Sequence, residues 1–462
     1  MRQNLEGLGP EDLAFQAQLI EMSLRSRLGG EAHAVPAVPA QPGAPLDGPA
    51  APRAPQDLAG QALSLADELQ RRAIQGADGS AAWIGLSYLP EARQLLLSLS
   101  SLGLYDGLAG IALFLAAAFH ASGGPHLRTL GLAALQPVRQ ALGRQDFSET
   151  LQTLGLGGAT GLGGLLYSLA RCAEWLEEAS LLDEAVQAAA LLSQEQVQAD
   201  QQLDIIGGAA GCILGLLAVQ RLQPGPAILE RLAWCGRRLL ERQTPAGEGA
   251  AWPDISGRFL TGFSHGAAGY AVALLRLARL SGETQYLQAA RRALAYEDGL
   301  FNPQAGNWPD LRLSTSPDPA QPGYANAWCH GSSGIGLARL EALPEWDSPQ
   351  IQRDLQAALA ATRSLLQHSA KLADHLCCGN LGRIELLYSA GLRLGQPELV
   401  DEARQHAARL AQNAAALGGF RFETRLERGQ FNPGLFNGAA GVGYELLRLS
   451  GQPALPAVLL WE

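Results

Sequence analysis

A chain of 462 residues, 47% apolar and only 17% charged, is long enough for several ordinary domains or one large repeat architecture with an extensive core. Its net charge of −10 argues against a nucleic-acid partner, because phosphate binding calls for a basic face. Arginine carries nearly all the positive charge, Lys371 being the one lysine, a bias of the kind seen in high-GC bacterial genomes.

In chain order, Met1 to Pro10 holds no apolar core of signal-peptide length. Ile111 to Phe119, the most apolar run, is too short to span a bilayer. The expectation is a cytoplasmic protein with no transmembrane segment. Glu11 to Leu28 repeats its apolar residues with helical period (Leu13, Phe15, Leu19, Ile20, Leu24) and reads as one amphipathic helix within residues 1–30. Residues 31–57, dense in Ala and Pro, cannot bury enough apolar surface to fold and read as a linker. From Leu58 to the end, residues 58–462, the pattern is helical and strand signals are scarce.

A short element, Gly-x-x-Gly opening an apolar helix, recurs seven times at intervals of about 48 to 65 residues. It occurs at Asp106-Gly107-Leu108-Ala109-Gly110, Gly157-Gly158-Ala159-Thr160-Gly161 and Gly207-Gly208-Ala209-Ala210-Gly211. It returns at His265-Gly266-Ala267-Ala268-Gly269, His330-Gly331-Ser332-Ser333-Gly334, Cys378-Gly379-Asn380-Leu381-Gly382 and Asn437-Gly438-Ala439-Ala440-Gly441. A helix opening on Gly-Ala-Ala-Gly is poor in isolation and makes sense only where packing is tight. Seven such helices, each followed by a more polar one, predict an all-α double ring. The residues ahead of each glycine pair (Asp106, Gly157, Gly207, His265, His330, Cys378 and Asn437) should then collect at one mouth.

Six cysteines in so long a chain do not make a disulfide framework. Cys172, Cys212 and Cys235 read as small apolar core residues. Cys329 and the pair Cys377-Cys378 sit at equivalent repeat positions about 48 residues apart, and three thiolates meeting at the mouth suit one zinc ion with a fourth position left for water or substrate. His265 could act there as a general acid or base, and Asp204 could orient it. His330 reads as a proton carrier or an outer neighbour of the metal, while Trp328, Asp106 and Asn380 could line the same mouth or simply cap and pack. His33, His120, His126, His368, His375 and His406 fall off these positions and read as ordinary surface or packing residues.

The seven glycine-paired helices, with Ser264-His265-Gly266, Ala327-Trp328-Cys329-His330-Gly331 and Cys377-Cys378-Gly379-Asn380, resemble the LanC-like lanthionine cyclases. The likeness is greatest to the C-terminal cyclase domain of class II lanthipeptide synthetases, the LanM type, and covers roughly Leu95 to Leu449. Glu11 to Leu24 is also similar to the segment between dehydratase and cyclase in those enzymes. No dehydratase sequence is present, so the expectation is either an excised cyclase half or a stand-alone descendant.

What the resemblance implies is an α/α toroid of seven inner and seven outer helices with one zinc near the mouth. The implied reaction adds a peptide cysteine thiol to dehydroalanine or dehydrobutyrine, giving a thioether. The implied partners are a dehydrated precursor peptide and a dehydratase acting in cis or in trans. The resemblance carries zinc ligation onto Cys329, Cys377 and Cys378, an acid/base role onto His265, and the support of that histidine onto Asp204. Much of the family has Cys-His-Gly in the sixth repeat, where this chain has Cys377-Cys378-Gly379, so an all-sulfur set is implied. Ser332-Ser333 replaces a common Ala-Pro. The competing readings are a zinc-containing scaffold that binds a peptide or thiol without catalysis, a glycoside hydrolase on a similar barrel, and addition of glutathione to dehydrated peptides. A hydrolase would need two facing carboxylates, with only Asp106 and Asp204 near the predicted mouth.

Overall fold

Helices that are apolar on every face need neighbours on every side, and that requirement organises the fold. The computed structural model describes residues 57–89, 94–144, 146–312, 323–423 and 430–462, with scattered positions between 9 and 24. Helix α1 (Leu58–Arg71) precedes two antiparallel hairpins, β1–β2 (Ile74–Gln75, Ala81–Ala82) and β3–β4 (Ile84–Leu89, Gln94–Leu99), the latter pairing Ile84 with Leu99. Then come α2 (Leu108–Ser122), α3 (Pro125–Leu142), the short α4 (Phe147–Leu154), α5 (Leu162–Trp175), α6 (Ser180–Ala190) and the short α7 (Gln194–Ala199). Next are α8 (Ala209–Leu222), α9 (Pro226–Arg242) and a hairpin β5–β6 (Thr244–Ala246, Gly249–Ala251). The chain continues through α10 (Ala267–Ser281), α11 (Thr284–Asp298), α12 (Ser332–Ala342), α13 (Pro349–Leu366), α14 (Asn380–Leu394), α15 (Pro397–Ala416) and α16 (Ala439–Ser450).

Seven of these (α2, α5, α8, α10, α12, α14 and α16) form the inner ring of an α/α toroid. α2 is buried without a break from Leu108 to Ala118, and every residue of α12 is buried. The outer helices are amphipathic, α11 for example burying Tyr286, Ala289, Ala290, Ala293 and Leu294 along one stripe. The last inner helix has no outer helix after it. Its partner is α1, which packs along α16 through Leu58, Ala62, Ala66 and Leu69. Asp57 caps α1 by accepting the Gly60 N–H at 2.7 Å. The ring closes where α16 meets α2. At that seam a Cβ on Gly443 would lie 2.2 Å from the Phe114 ring.

Each inner helix has a glycine as its N-cap: Gly107, Gly161, Gly208, Gly266, Gly331, Gly379 and Gly438. This corrects the expected register of the second repeat. Its helix begins at Leu162, so the glycine pair is Gly161/Gly164 and the residue before it is Thr160, not Gly157. The extra glycines at 157 and 158 serve a different contact, since a Cβ on Gly157 would sit 1.9 Å from the Ile206 carbonyl.

The turns ahead of the helices are joined around the mouth by backbone hydrogen bonds, each residue two places before its glycine donating to its equivalent in the next repeat. Tyr105 N–H donates to Ala159 (3.0 Å) and Ala159 to Ile206 (3.2 Å). Ser264 donates to Cys329 (3.1 Å), Cys329 to Cys377 (3.4 Å), Cys377 to Phe436 (2.9 Å) and Phe436 back to Tyr105 (2.8 Å). Among the described residues the joint between the third and fourth repeats has no such bond. Below this belt the axis is filled, not open: Trp461 reaches in to pack against Trp328, Phe263 and Phe436, and its Nε1–H donates to the Gly158 carbonyl at 3.0 Å.

Described positions at the N-terminus (Leu13, Gln16, Ala17, Leu19, Ile20, Ser23, Leu24) are helical. The Ala/Pro-rich segment expected to be a linker lies outside the described residues, Asp57 excepted. Among the described residues no helix is long and apolar enough to cross a membrane.

Candidate metal centre

Two turns carry the sulfurs. Cys329 stands two residues ahead of Gly331, whose φ of 91° only glycine adopts without strain. Cys377 and Cys378 lead directly into Gly379. Because Cys329 and Cys377 hold the same register position in adjacent repeats, the backbone belt sets them side by side. The three Sγ atoms lie within 4.8 Å of one another, with Cys329–Cys378 at 3.3 Å and Cys378–Cys377 at 3.5 Å. Tetrahedral thiolates around a metal at about 2.3 Å would stand roughly 3.8 Å apart. The spacing therefore fits one thiophilic cation. Cys329 and Cys377 are buried and Cys378 is exposed, which leaves an approach from the mouth. Without a cation three thiols this close together cannot all ionise. Hydrogen bonds from Cys329 and Cys377 hold Cys378 well below the ordinary thiol value, while bonds from Cys329 and Cys378, with burial, push Cys377 up.

The histidine side of the mouth fills the joint that lacks a backbone bond. His265 Nδ1 lies 2.6 Å from Asp204 Oδ2, so a side-chain pair links the third and fourth repeats. Asp204 is buried, and its other oxygen accepts the Gly207 N–H at 2.8 Å, which fixes the carboxylate. The His265 side chain is 39% exposed, and among the described residues its Nε2 has no hydrogen-bond partner. The His330 ring stacks on it at 5.7 Å. His330 itself is buried beside the Ser264 hydroxyl (3.3 Å from Nε2), and burial, with the Arg312 charge, pushes its imidazole down to about 3.

The remaining expected mouth residues separate. Trp328 is fully buried with its Nε1–H on the Leu459 carbonyl, a core residue and not a wall of the mouth. Asn380 is fully buried and ties Ser369 to Asp374, both at 3.0 Å. Asp106 stays half-buried at the closing seam, accepting from Ser101 Oγ at 3.0 Å. His375, expected to be an ordinary packing residue, instead lies under the cysteines: the Cys378 N–H donates to its Nδ1 at 3.4 Å.

Three further residues reach the site without having been expected there. Arg312 is held by Asp310 through bonds of 3.0 and 2.7 Å, with its charge near Cys329 and Cys378. Tyr105 stacks on Phe436 at 5.0 Å, and burial together with the Cys377 charge pushes its hydroxyl well up. Arg383 stands in the first turn of α14 and donates from Nε to the Asn326 carbonyl at 2.7 Å. Its signal in the sequence is a charge one residue after the second glycine of a repeat whose counterparts there are mostly apolar or small (Ile111, Leu165, Cys212, Tyr270, Ile335, Val442).

Comparison with known proteins places this geometry. A sequence model of the family described as "Lanthionine synthetase C-like protein" matches residues 98–460. Among solved structures, one named "Nisin cyclase" is similar over 76% of this chain and 89% of that one, at 18% identity and a TM-score of 0.58. It shares the toroid fold. The Lin0763 protein from Listeria innocua aligns over 85% of this chain and 97% of its own, at 10% identity and a TM-score of 0.48. Unsaturated glucuronyl hydrolase from Bacillus sp. GL1 aligns over 68% and 84%, at 15% identity and a TM-score of 0.43. Similarities at those last two scores carry no functional argument. No curated protein sequence matches the chain.

Proposed function

This chain belongs to the lanthionine synthetase C-like family, and from that premise we propose that it is a zinc-dependent cyclase. It would join cysteine thiols of a dehydrated precursor peptide to dehydroalanine or dehydrobutyrine as thioether rings. The observation that carries this reading is the convergence of three sulfurs from two distant turns at the rim that also presents the His265–Asp204 pair. Three soft donors with no carboxylate among them suit zinc over the oxygen-seeking cations. Cys329, Cys377 and Cys378 would hold it.

Zinc bound there supplies a Lewis acid that stabilises an incoming thiol as thiolate near neutral pH. The chain's own residues do the rest. Asp204 fixes His265 through Nδ1 and keeps Nε2 free, so the imidazole takes the proton released as the peptide thiol ionises. The thiolate electron pair forms the new bond to the β-carbon, and the β-carbon–α-carbon double bond shifts its pair toward the carbonyl as an enolate. Nε2–H then returns the proton to the α-carbon, and the net transfer is one hydrogen from sulfur to carbon. The filled axis below the belt, closed by Trp328, Phe263, Phe436 and Trp461, keeps the reaction at the rim where a peptide has access.

The same reading proposes an N-terminal helix in residues 1–30, a linker in 31–57 and the cyclase toroid in 58–462, working in the cytoplasm after a dehydratase in cis or in trans. The third sulfur supports a likeness to a subset of class II enzymes. The test is metal analysis of the purified chain together with a free-thiol assay on a dehydrated cysteine-bearing peptide. One zinc per chain and thiol consumption with no change in peptide mass support the proposal. Zinc without thiol consumption would leave only a binding scaffold.

A further inference from the structure

Buried arginines in this protein are commonly met by carboxylates. Arg339, fully buried, has Glu297 at 2.9 Å, Asp298 at 2.8 Å and Asp354 at 2.8 Å. Arg448 has Glu385 at 2.9 Å. Arg383 is 5% exposed and has none among the described residues: its Nε donates to the Asn326 carbonyl, and its Nη1 is buried with no partner among them. A buried charge without a counter-charge is costly, by several kcal/mol as a rule. The charges of the three cysteines of the candidate metal centre act on this guanidinium against its burial, and its own charge reaches His375 beneath Cys378.

The charges explain the arrangement. Three thiolates and one divalent cation sum to −1, and a fourth, incoming thiolate makes −2. A set with an imidazole in place of Cys378 would carry one negative charge fewer. The third sulfur and the arginine lie in one turn, Cys378-Gly379-Asn380-Leu381-Gly382-Arg383. Arg383 also reaches across to Asn326, three residues before Cys329, so one side chain spans both sulfur-bearing turns.

We propose that Arg383 is the resident counter-cation of the three-sulfur centre, a positioning residue that stabilises its thiolates and holds its two turns together. The inference rests on the metal-centre reading above. It goes further in naming Arg383 as the charge that meets the all-sulfur set, since Arg312, also near Cys329 and Cys378, is already answered by Asp310 at 2.7 Å.

The experiment measures zinc affinity of the full chain by competition with a chromophoric chelator, and the sulfur-to-cobalt charge-transfer band after Co(II) exchange. Arg383→Gln keeps a donor for Asn326 but removes the charge. It should weaken zinc binding by about tenfold or more, equivalent to about 1.4 kcal/mol, and shift the pH of half-maximal metal uptake upward. Arg383→Lys keeps the charge and gives up the planar fork, and should stay within about threefold of the parent. Unchanged affinity and uptake pH in Arg383→Gln, or a tenfold loss in Arg383→Lys, would overturn the proposal. The lysine variant alone decides the matter if the glutamine variant fails to fold. Cys378→Ala, run in parallel, separates the two layers of argument: zinc retained there would sink the three-sulfur centre and this inference with it, whereas zinc lost there with Arg383→Gln unaffected would sink the inference alone.

Discussion

The two ends of the inner ring treat charge in opposite ways. At the far end, where the inner helices finish, Arg276, Arg279 and Arg393 converge on Glu341, which is nearly inaccessible to solvent, and Arg448 binds Glu385. Burial and the Glu385 charge push the Glu445 carboxyl well up. At the mouth, three thiols crowd together, Arg383 has no carboxylate among the described residues, and His265 stands half-open to solvent, paired with Asp204. The far end meets these arginines with carboxylates from the chain itself. At the mouth the Arg383 charge meets no carboxylate among the described residues, and that difference singles out the mouth as the candidate site.

The contrast is broken most severely by removing a sulfur. Cys329→Ala and Cys378→Ala should each abolish stoichiometric zinc and reduce ring formation to background, read by metal analysis and the thiol assay, while the circular dichroism of the helical ring stays as in the parent. Next in size, His265→Ala should keep its zinc and lose about 10²- to 10⁴-fold in turnover, the usual contribution of a general acid/base. Lost zinc in that variant would make His265 a ligand and not a proton carrier.

The paired charges should answer differently, in stability and not in chemistry. Arg339→Met strands Glu297, Asp298 and Asp354 without their cation and should cost about 3–5 kcal/mol in denaturant unfolding, with zinc stoichiometry unchanged. Mild acid offers a smaller perturbation. Burial raises Glu341, but the charges and hydrogen bonds of Arg276, with Arg393 and Arg279, outweigh it and bring the carboxyl down to about 2 from 4.5. A depressed folded value means that the stabilisation is complete above the unfolded value and is lost as pH falls from 4.5 toward 2. A shift of that size is on the order of 3 kcal/mol. Unfolding midpoints measured across this interval in the parent and in Glu341→Gln should converge at the acid end.

Much of the fold was legible along the chain because its signals are local. A glycine pair opening an apolar helix, repeated seven times, announces a tightly packed inner ring, and cysteines at one repeat position announce that their sulfurs can meet. Asp204 could be singled out because it precedes a glycine pair. The second repeat was harder to read, since Gly157, Gly158 and Gly161 offer two registers, and only packing against Ile206 chooses between them.

What the sequence alone determined was the repeat, the ring and the residue types that its mouth displays, all written within a few turns of helix. Tertiary structure decided the pairings. It brought α1 from the other end of the chain to cover α16, turned Trp328 into the core with Trp461, drew His375 beneath Cys378, and set Arg383 in reach of the cysteine charges with no acid among the described residues to answer it. The physical reason is range. Periodicity and backbone freedom are properties of neighbouring residues, whereas a charge's environment depends on side chains tens to hundreds of positions away, which meet only once the ring has closed.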